Sequence, residues 1–159
     1  MNALANYSKK QRQQLLSILS VSSSNDLLHY WDALSITARY ETLKKPEVGM
    51  VMVRAKTGGT GSPFNMGEMT VTRSVVSLQH VNGHSCDAII GFGYTAGRQK
   101  EKAECIAVID ACCQLSDYQA LIFEQLLVPL QAIKSDKNRA HADKVDTTKV
   151  NFFTMVRGE

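Results

Sequence analysis

MTVTRSVVSLQHVNGHSCDAIIGFGYT, residues 69–95, reads as two β-strands joined by a tight turn. Residues 69–81 are rich in valine and threonine, the composition of a β-strand. Asn82-Gly83 follows, the pair that a two-residue type I′ turn prefers. A second β-type run covers residues 86–95. The two runs are therefore expected to be antiparallel neighbours. Upstream, residues 48–55 form a valine- and methionine-rich strand. It is joined to the pair by a glycine-rich loop, Thr57-Gly58-Gly59-Thr60-Gly61-Ser62-Pro63-Phe64.

Helices are expected on both sides of this β region. Ser8-Lys9-Lys10-Gln11 reads as a capping box opening a helix with Leu15, Leu16, Ile18 and Leu19 on one face. Ser22-Ser23-Ser24-Asn25-Asp26 breaks that helix and caps a second, carrying Leu27, Leu28, Tyr30, Trp31 and Leu34. Pro46 and Gly49 mark the change to strand. Gly97 marks the return to helix. Residues 98–115 are apolar on nearly every side through Ile106, Ala107, Val108, Ile109 and Cys113, so this helix is expected to be buried. Ser116-Asp117-Tyr118-Gln119 reads as a further capping box, opening a helix that reaches Pro129 or a little beyond. The class is α+β: two N-terminal helices, an antiparallel sheet, two helices after it, and an extended C-terminal arm. Residues 1–133 would be the core domain, and 134–159 a polar linker with an interaction arm.

That arm ends in Val150-Asn151-Phe152-Phe153-Thr154-Met155-Val156-Arg157-Gly158-Glu159. A terminus normally frays. Burying this much apolar surface stabilises at roughly 25 cal/mol per Å², so the tail either docks on its own domain or belongs against another chain. If the tail is extended, alternation puts large apolar groups on both sides, and strand addition to a partner is a plausible mode. Phe152, Phe153, Met155, Val156 and Arg157 are the candidate partner interface.

At 159 residues one domain with a real core is expected. A net charge of +3 is too mild to argue for nucleic acid, but suits an anionic ligand or acidic partner. Cys86, Cys105, Cys112 and Cys113 contain no CxxC, which fits reduced thiols in a cytoplasmic protein. No apolar run approaches the ~20 residues a membrane span needs.

The chemistry-bearing candidates are few. The glycine loop could turn backbone N–H groups toward a phosphate, with Gly58, Gly59, Gly61 and Arg73 as the candidate site. It lacks the Gly-Lys-Ser/Thr of a P-loop. Asp110, mid-way along the buried helix, must be paired or neutralised, and Arg73, Arg98 or a neighbouring backbone are its candidate partners. Glu104 stands four residues after Lys100, the spacing of a solvated helical ion pair. Glu104 and Asp110 are candidate structural or site carboxylates. His80 and His84 flank the turn as half a metal site without an obvious third ligand. No nucleophile–base arrangement stands out, and no metal site is assigned.

Read together, Gly58-Gly59-Thr60-Gly61 with Phe64, Gly67-Glu68-Met69-Thr70-Val71-Thr72-Arg73, Gly97-Arg98, Ala103-Glu104, Ile109-Asp110-Ala111 and the Phe152-Phe153-Thr154-Met155-Val156-Arg157-Gly158 ending are specific. This pattern, nearly chain-long, resembles the PhnG family, the G subunit of the bacterial carbon–phosphorus lyase core complex. The chain departs from the family at Gln99, where aspartate is usual, and at Lys102, where histidine is common. The resemblance implies an accessory subunit in phosphonate metabolism, working with H, I and J subunits and with the I subunit most directly. The complex would join an alkylphosphonate to ATP at the ribose C1 and expel adenine, forming ribose 1-phosphonate 5-triphosphate. It implies no catalytic residue and no bound cofactor in this chain, ATP being the substrate of the complex. The alternative from the residues alone is a stand-alone phosphate- or nucleotide-binding module using the glycine loop with Arg54, Lys56 and Arg73.

Overall fold

The computed structural model describes residues 8–56 and 61–149, with backbone alone for 84–88. Two helices come first, α1 (Lys9–Val21) and α2 (Ser24–Ala33). Three strands follow, β1 (Ala38–Lys56), β2 (Pro63–Val81) and β3 (His84–Ala96). After them come α3 (Lys100–Cys112), α4 (Ser116–Ile122) and α5 (Val128–Thr147), the last two joined by a π-helical turn at Phe123–Leu127. The protein is α+β, as its sequence indicates, with two helices before the sheet and two after it, α4 and α5 running on as one.

Local chemistry accounts for the first boundaries. Ser8 caps α1 reciprocally: its Oγ accepts from Gln11 N–H at 3.2 Å, and its own N–H donates to Gln11 Oε1 at 3.0 Å. Ser23 caps α2 by accepting from Asp26 N–H at 3.1 Å. The third expected box does not form in the same way. Leu115 occupies the N-cap position of α4, and Ser116 Oγ instead donates to Asp117 Oδ1 at 3.1 Å.

The strands lie in the order β1-β2-β3, antiparallel throughout. Val81 pairs with His84 across Asn82-Gly83, both of which take positive φ, 47° and 81°. Asn82 is also tied to the entry of β1: its Oδ1 accepts from Thr37 N–H at 2.9 Å, and its N–H donates to Thr37 O at 2.8 Å. A Cβ at Gly83 would meet nothing within 4 Å, so any penalty there is conformational. Gly83→Ala is expected to lower stability by about 1 kcal/mol, the cost of left-handed backbone for an L-residue. A urea midpoint that does not fall would contradict it.

β1 starts ten residues before the expected Val48. Its register with β2 skips Lys45 and Pro46, between Lys44↔Val75 and Glu47↔Arg73. A bulge on an edge strand is where a proline fits, because its missing N–H removes no ladder bond. The last helical run also exceeds expectation. It passes Pro129 and continues to Thr147, so the polar residues from Lys134 onward begin as helix. Pro129 follows closely on the π-helical turn, where the regular i→i−4 hydrogen-bond ladder is already interrupted.

The core lies between one face of the sheet and the helices. Leu15 and Leu19 of α1, Leu27 of α2, Val76, Leu78 and Val81 of β2, and Ile106 and Ile109 of α3 are fully buried. α3 sits directly on β3. A Cβ built at Gly91 would fall on the carbonyl oxygen of Ala107, and one at Gly93 on that of Ala103. The opposite face of β3 shows Ile90, Phe92 and Tyr94 to solvent.

β3 pairs only with residues 71–81 of β2. Beyond it, β1 and β2 continue alone as a two-stranded ribbon. The eight residues of β2 before Val71 make that projection about 25 Å long, at 3.3 Å per residue.

Candidate functional site

Asp110 is the centre of a buried polar cluster. It is fully buried on α3. Arg12 of α1 grips it with two N–H groups, Nε to Oδ1 at 2.9 Å and Nη2 to Oδ2 at 2.6 Å. The Phe92 backbone N–H donates to the same Oδ2 at 2.9 Å. The Arg12 guanidinium also lies 5.5 Å from the centre of the Phe92 ring. The arginine that holds Asp110 is therefore Arg12, not Arg73 or Arg98.

This cluster has a second purpose visible in the sheet. β3 is an edge strand, and its outer N–H and C=O groups would otherwise stand unpaired. Asp110 accepts from Phe92 N–H, and Gln114, one turn later, donates from Nε2 to Ile90 O at 2.9 Å. Two side chains of one helix thus satisfy one N–H and one C=O of the edge that two-strand pairing leaves open. With its three acceptor bonds made to α1 and β3, the Asp110 carboxylate is placed as a structural tie.

Glu104, also on α3, faces a different region. Its Oε1 accepts from Thr42 Oγ1 at 3.2 Å. Among the described residues it forms no ion pair with Lys100. It lines a crevice of about 520 Å³ between α2, the start of β1 and α3, together with Trp31, Tyr40, Glu101 and Cys105. Burial, followed by the charge of Glu104, raises the Tyr40 phenol above its usual value. Burial, followed by the charge of Asp32, pushes the Cys105 thiol up to about 12. Both groups stay protonated near neutral pH, so the crevice offers carboxylates and rings but no thiolate nucleophile.

The phosphate candidates are not brought together. Arg73 lies on the exposed face of β2 and pairs with Glu47 of β1, which also receives Lys44 Nζ at 2.9 Å. Donating to the Glu47 carboxylate raises the Arg73 pKa, and accepting from Lys44 and Arg73 lowers that of Glu47. Gly61 lies at the far end of the ribbon, ten residues of strand from Arg73 and so about 30 Å away. Gly58 and Gly59 fall outside the described residues. Arg54 and Lys56 are the cations near that end, on β1. The five tail residues Phe152, Phe153, Met155, Val156 and Arg157 also fall outside the described residues.

His80 is half-buried on β2, and the side chain of His84 is among those not described. Among the described residues no three of His, Cys, Asp and Glu converge as metal ligands. Nor is any described helix long and apolar enough to cross a membrane.

Lys102 takes a part that its sequence position did not announce. It is 4% exposed, and its ammonium donates to Ser20 O at 2.9 Å and Ser22 O at 2.5 Å. These carbonyls close the C-terminal end of α1, where a cation is favoured. Burial lowers the Lys102 pKa. Its sequence signals were the departure from the family's common histidine and its place one turn into a helix otherwise destined for the core.

This α+β subunit, with its candidate acid spent on tying helices to a sheet edge, belongs to the PhnG family. The model of "Phosphonate metabolism protein PhnG" matches residues 10–158. A relative from Rhizobium meliloti (strain 1021), alpha-D-ribose 1-methylphosphonate 5-triphosphate synthase subunit PhnG, is 36% identical over 149 residues. The match spans 94% of this chain and 90% of the relative.

Proposed function

We propose that this chain is an accessory subunit of a carbon–phosphorus lyase core complex in the cytoplasm. It is required there for forming ribose 1-phosphonate 5-triphosphate from an alkylphosphonate and ATP, with release of adenine. The observation that carries the reading is the match, over 94% of this chain, to a protein named as a subunit of the corresponding synthase. The geometry agrees with an accessory part. Asp110, the most buried candidate acid, has its oxygens turned to Arg12 and Phe92 N–H rather than to a cavity. ATP is then a substrate of the assembly, not a cofactor of this chain. H, I and J subunits are the partners, with the I subunit engaged most directly through the tail residues 150–159.

The chain alone is expected to release no adenine from ATP and methylphosphonate, and the co-expressed assembly is expected to release it. Deleting residues 149–159 should leave helix content and melting unchanged while abolishing stable assembly with the I subunit. Adenine release that survives repurification of the isolated chain would overturn the accessory reading. Undiminished recovery of the I subunit with the truncated chain would overturn the role of the tail.

A further inference from the structure

We propose that the free end of the β1–β2 ribbon is a docking arm, clasped on both faces by an apolar cleft of a companion subunit whose rim is acidic. The inference rests on the accessory-subunit reading and adds to it a second contact surface, independent of the tail.

The ribbon beyond β3 is apolar where a solvated hairpin would be polar. Met50 is 69% exposed and Met66 65%. Val51, Met52, Phe64 and Met69 are each more than two-fifths exposed. Exposed large side chains scattered singly need no explanation, whereas a continuous run of them marks a contact surface. Pairing assigns them to faces. Val48 pairs with buried Thr72, so Val48, Met50 and Met52 continue the face that α3 covers lower down. Val51 and Met69 pair with each other on the opposite face. Methionine suits such a surface, because its unbranched side chain adapts to a partner's contour.

Two observations select the occupant. A second copy packing face to face across a two-fold axis would cover one face of each ribbon and leave the other in water. A cleft that admits the ribbon covers both, and it can also add strands to the open edges of residues 50–56 and 63–69. Charge gives the cleft its rim. Arg54 and Lys56 lie nearest the tip, against the single carboxylate of Glu68 farther down. Two such tips would repel each other, and carboxylates on a partner would attract them.

The test uses the full-length chain co-expressed with the other subunits of its synthase. Met50→Glu combined with Met66→Glu alters two side chains that already face water, so circular dichroism and melting should match the parent. Recovery of companion subunits should fall about tenfold or more, the scale for losing central apolar contacts. Val145→Glu, at a residue more than half exposed on α5, should recover them in full. Arg54→Glu with Lys56→Glu should slow assembly, with the deficit shrinking as salt rises. Full recovery with the double methionine variant overturns the proposal. So does an isolated parent chain that is a dimer and becomes a monomer with that variant, since the occupant is then a second copy. A salt-independent effect of the Arg54 and Lys56 variant overturns the acidic rim. If the parent chain itself recovers no companion, the accessory reading falls together with this one; if only the variants fail to lose it, this one falls alone.

Discussion

Asp110→Ala is expected to lower the stability of the isolated chain by about 3 kcal/mol, near the lower end of what removing one partner of a buried ion pair costs. The substitution strips the charge partner from Arg12 and the acceptor from Phe92 N–H in one step. Arg12 keeps a third of its side-chain surface in solvent, so its guanidinium rehydrates in part, and this holds the loss toward the lower figure. Arg12→Ala leaves the opposite remainder, a carboxylate with no exposure at all, and should be the worse of the two. The double variant should lose clearly less than the two singles added together, because each single change leaves a stranded partner. Urea denaturation with an unchanged slope measures all three. A loss under 1 kcal/mol for Asp110→Ala would remove the cluster from its place at the centre of the fold.

The parts of the fold that could be read from sequence share one property: their signals are local. Asn82-Gly83 set its turn from two adjacent residues. Ser8 with Gln11, and Ser23 with Asp26, set helix starts across three. α3 announced its burial through Ile106, Ala107, Val108 and Ile109, because no face of it was left for water. The parts that were not legible depend on distance or on solvent. The partner of Asp110 lies 98 residues away on α1, and nothing near Arg12 in sequence marks it. The first half of β1 faces water and runs through a bulge at Pro46, so it lacks both alternation and an unbroken strand composition. The polar end of α5 shows no apolar stripe. It is helical with good helix formers such as Ala140, Ala142 and Lys144, a weaker signal than periodicity. The glycine loop and Arg73 looked like neighbours because they are close in sequence. A 19-residue strand separates close sequence positions instead of gathering them.

Gly93→Ala is expected to be as damaging as any single methyl group added to this protein, with a loss of about 3 kcal/mol or more. Gly93 does not need glycine for its backbone angles, since the described glycines with positive φ are Gly67, Gly83 and Gly97. It needs glycine for space. Its missing Cβ leaves room for the Ala103 carbonyl oxygen, and Ala103 C and Ala107 N would each stand 2.9 Å from the added carbon. All three are backbone atoms of a helix, so no rotamer change relieves the contact. α3 would have to lift from the strand as a unit, and that movement pulls on Asp110 and Gln114, which bond the β3 edge at Phe92 and Ile90. Overpacking a well-packed core typically costs 1–3 kcal/mol, occasionally more; the upper end applies because the obstacle is main chain and the displaced helix carries edge contacts. Gly91→Ala meets Ala107 and Ala111 in the same way and should act similarly. Gly49→Ala, with nothing within 4 Å of the new atom, should change stability little. A Gly93→Ala chain that denatures within 1 kcal/mol of the parent would show that α3 can rise off β3 freely. The interlock of alanines on α3 with glycines on β3 would then not be what sets the distance between helix and sheet.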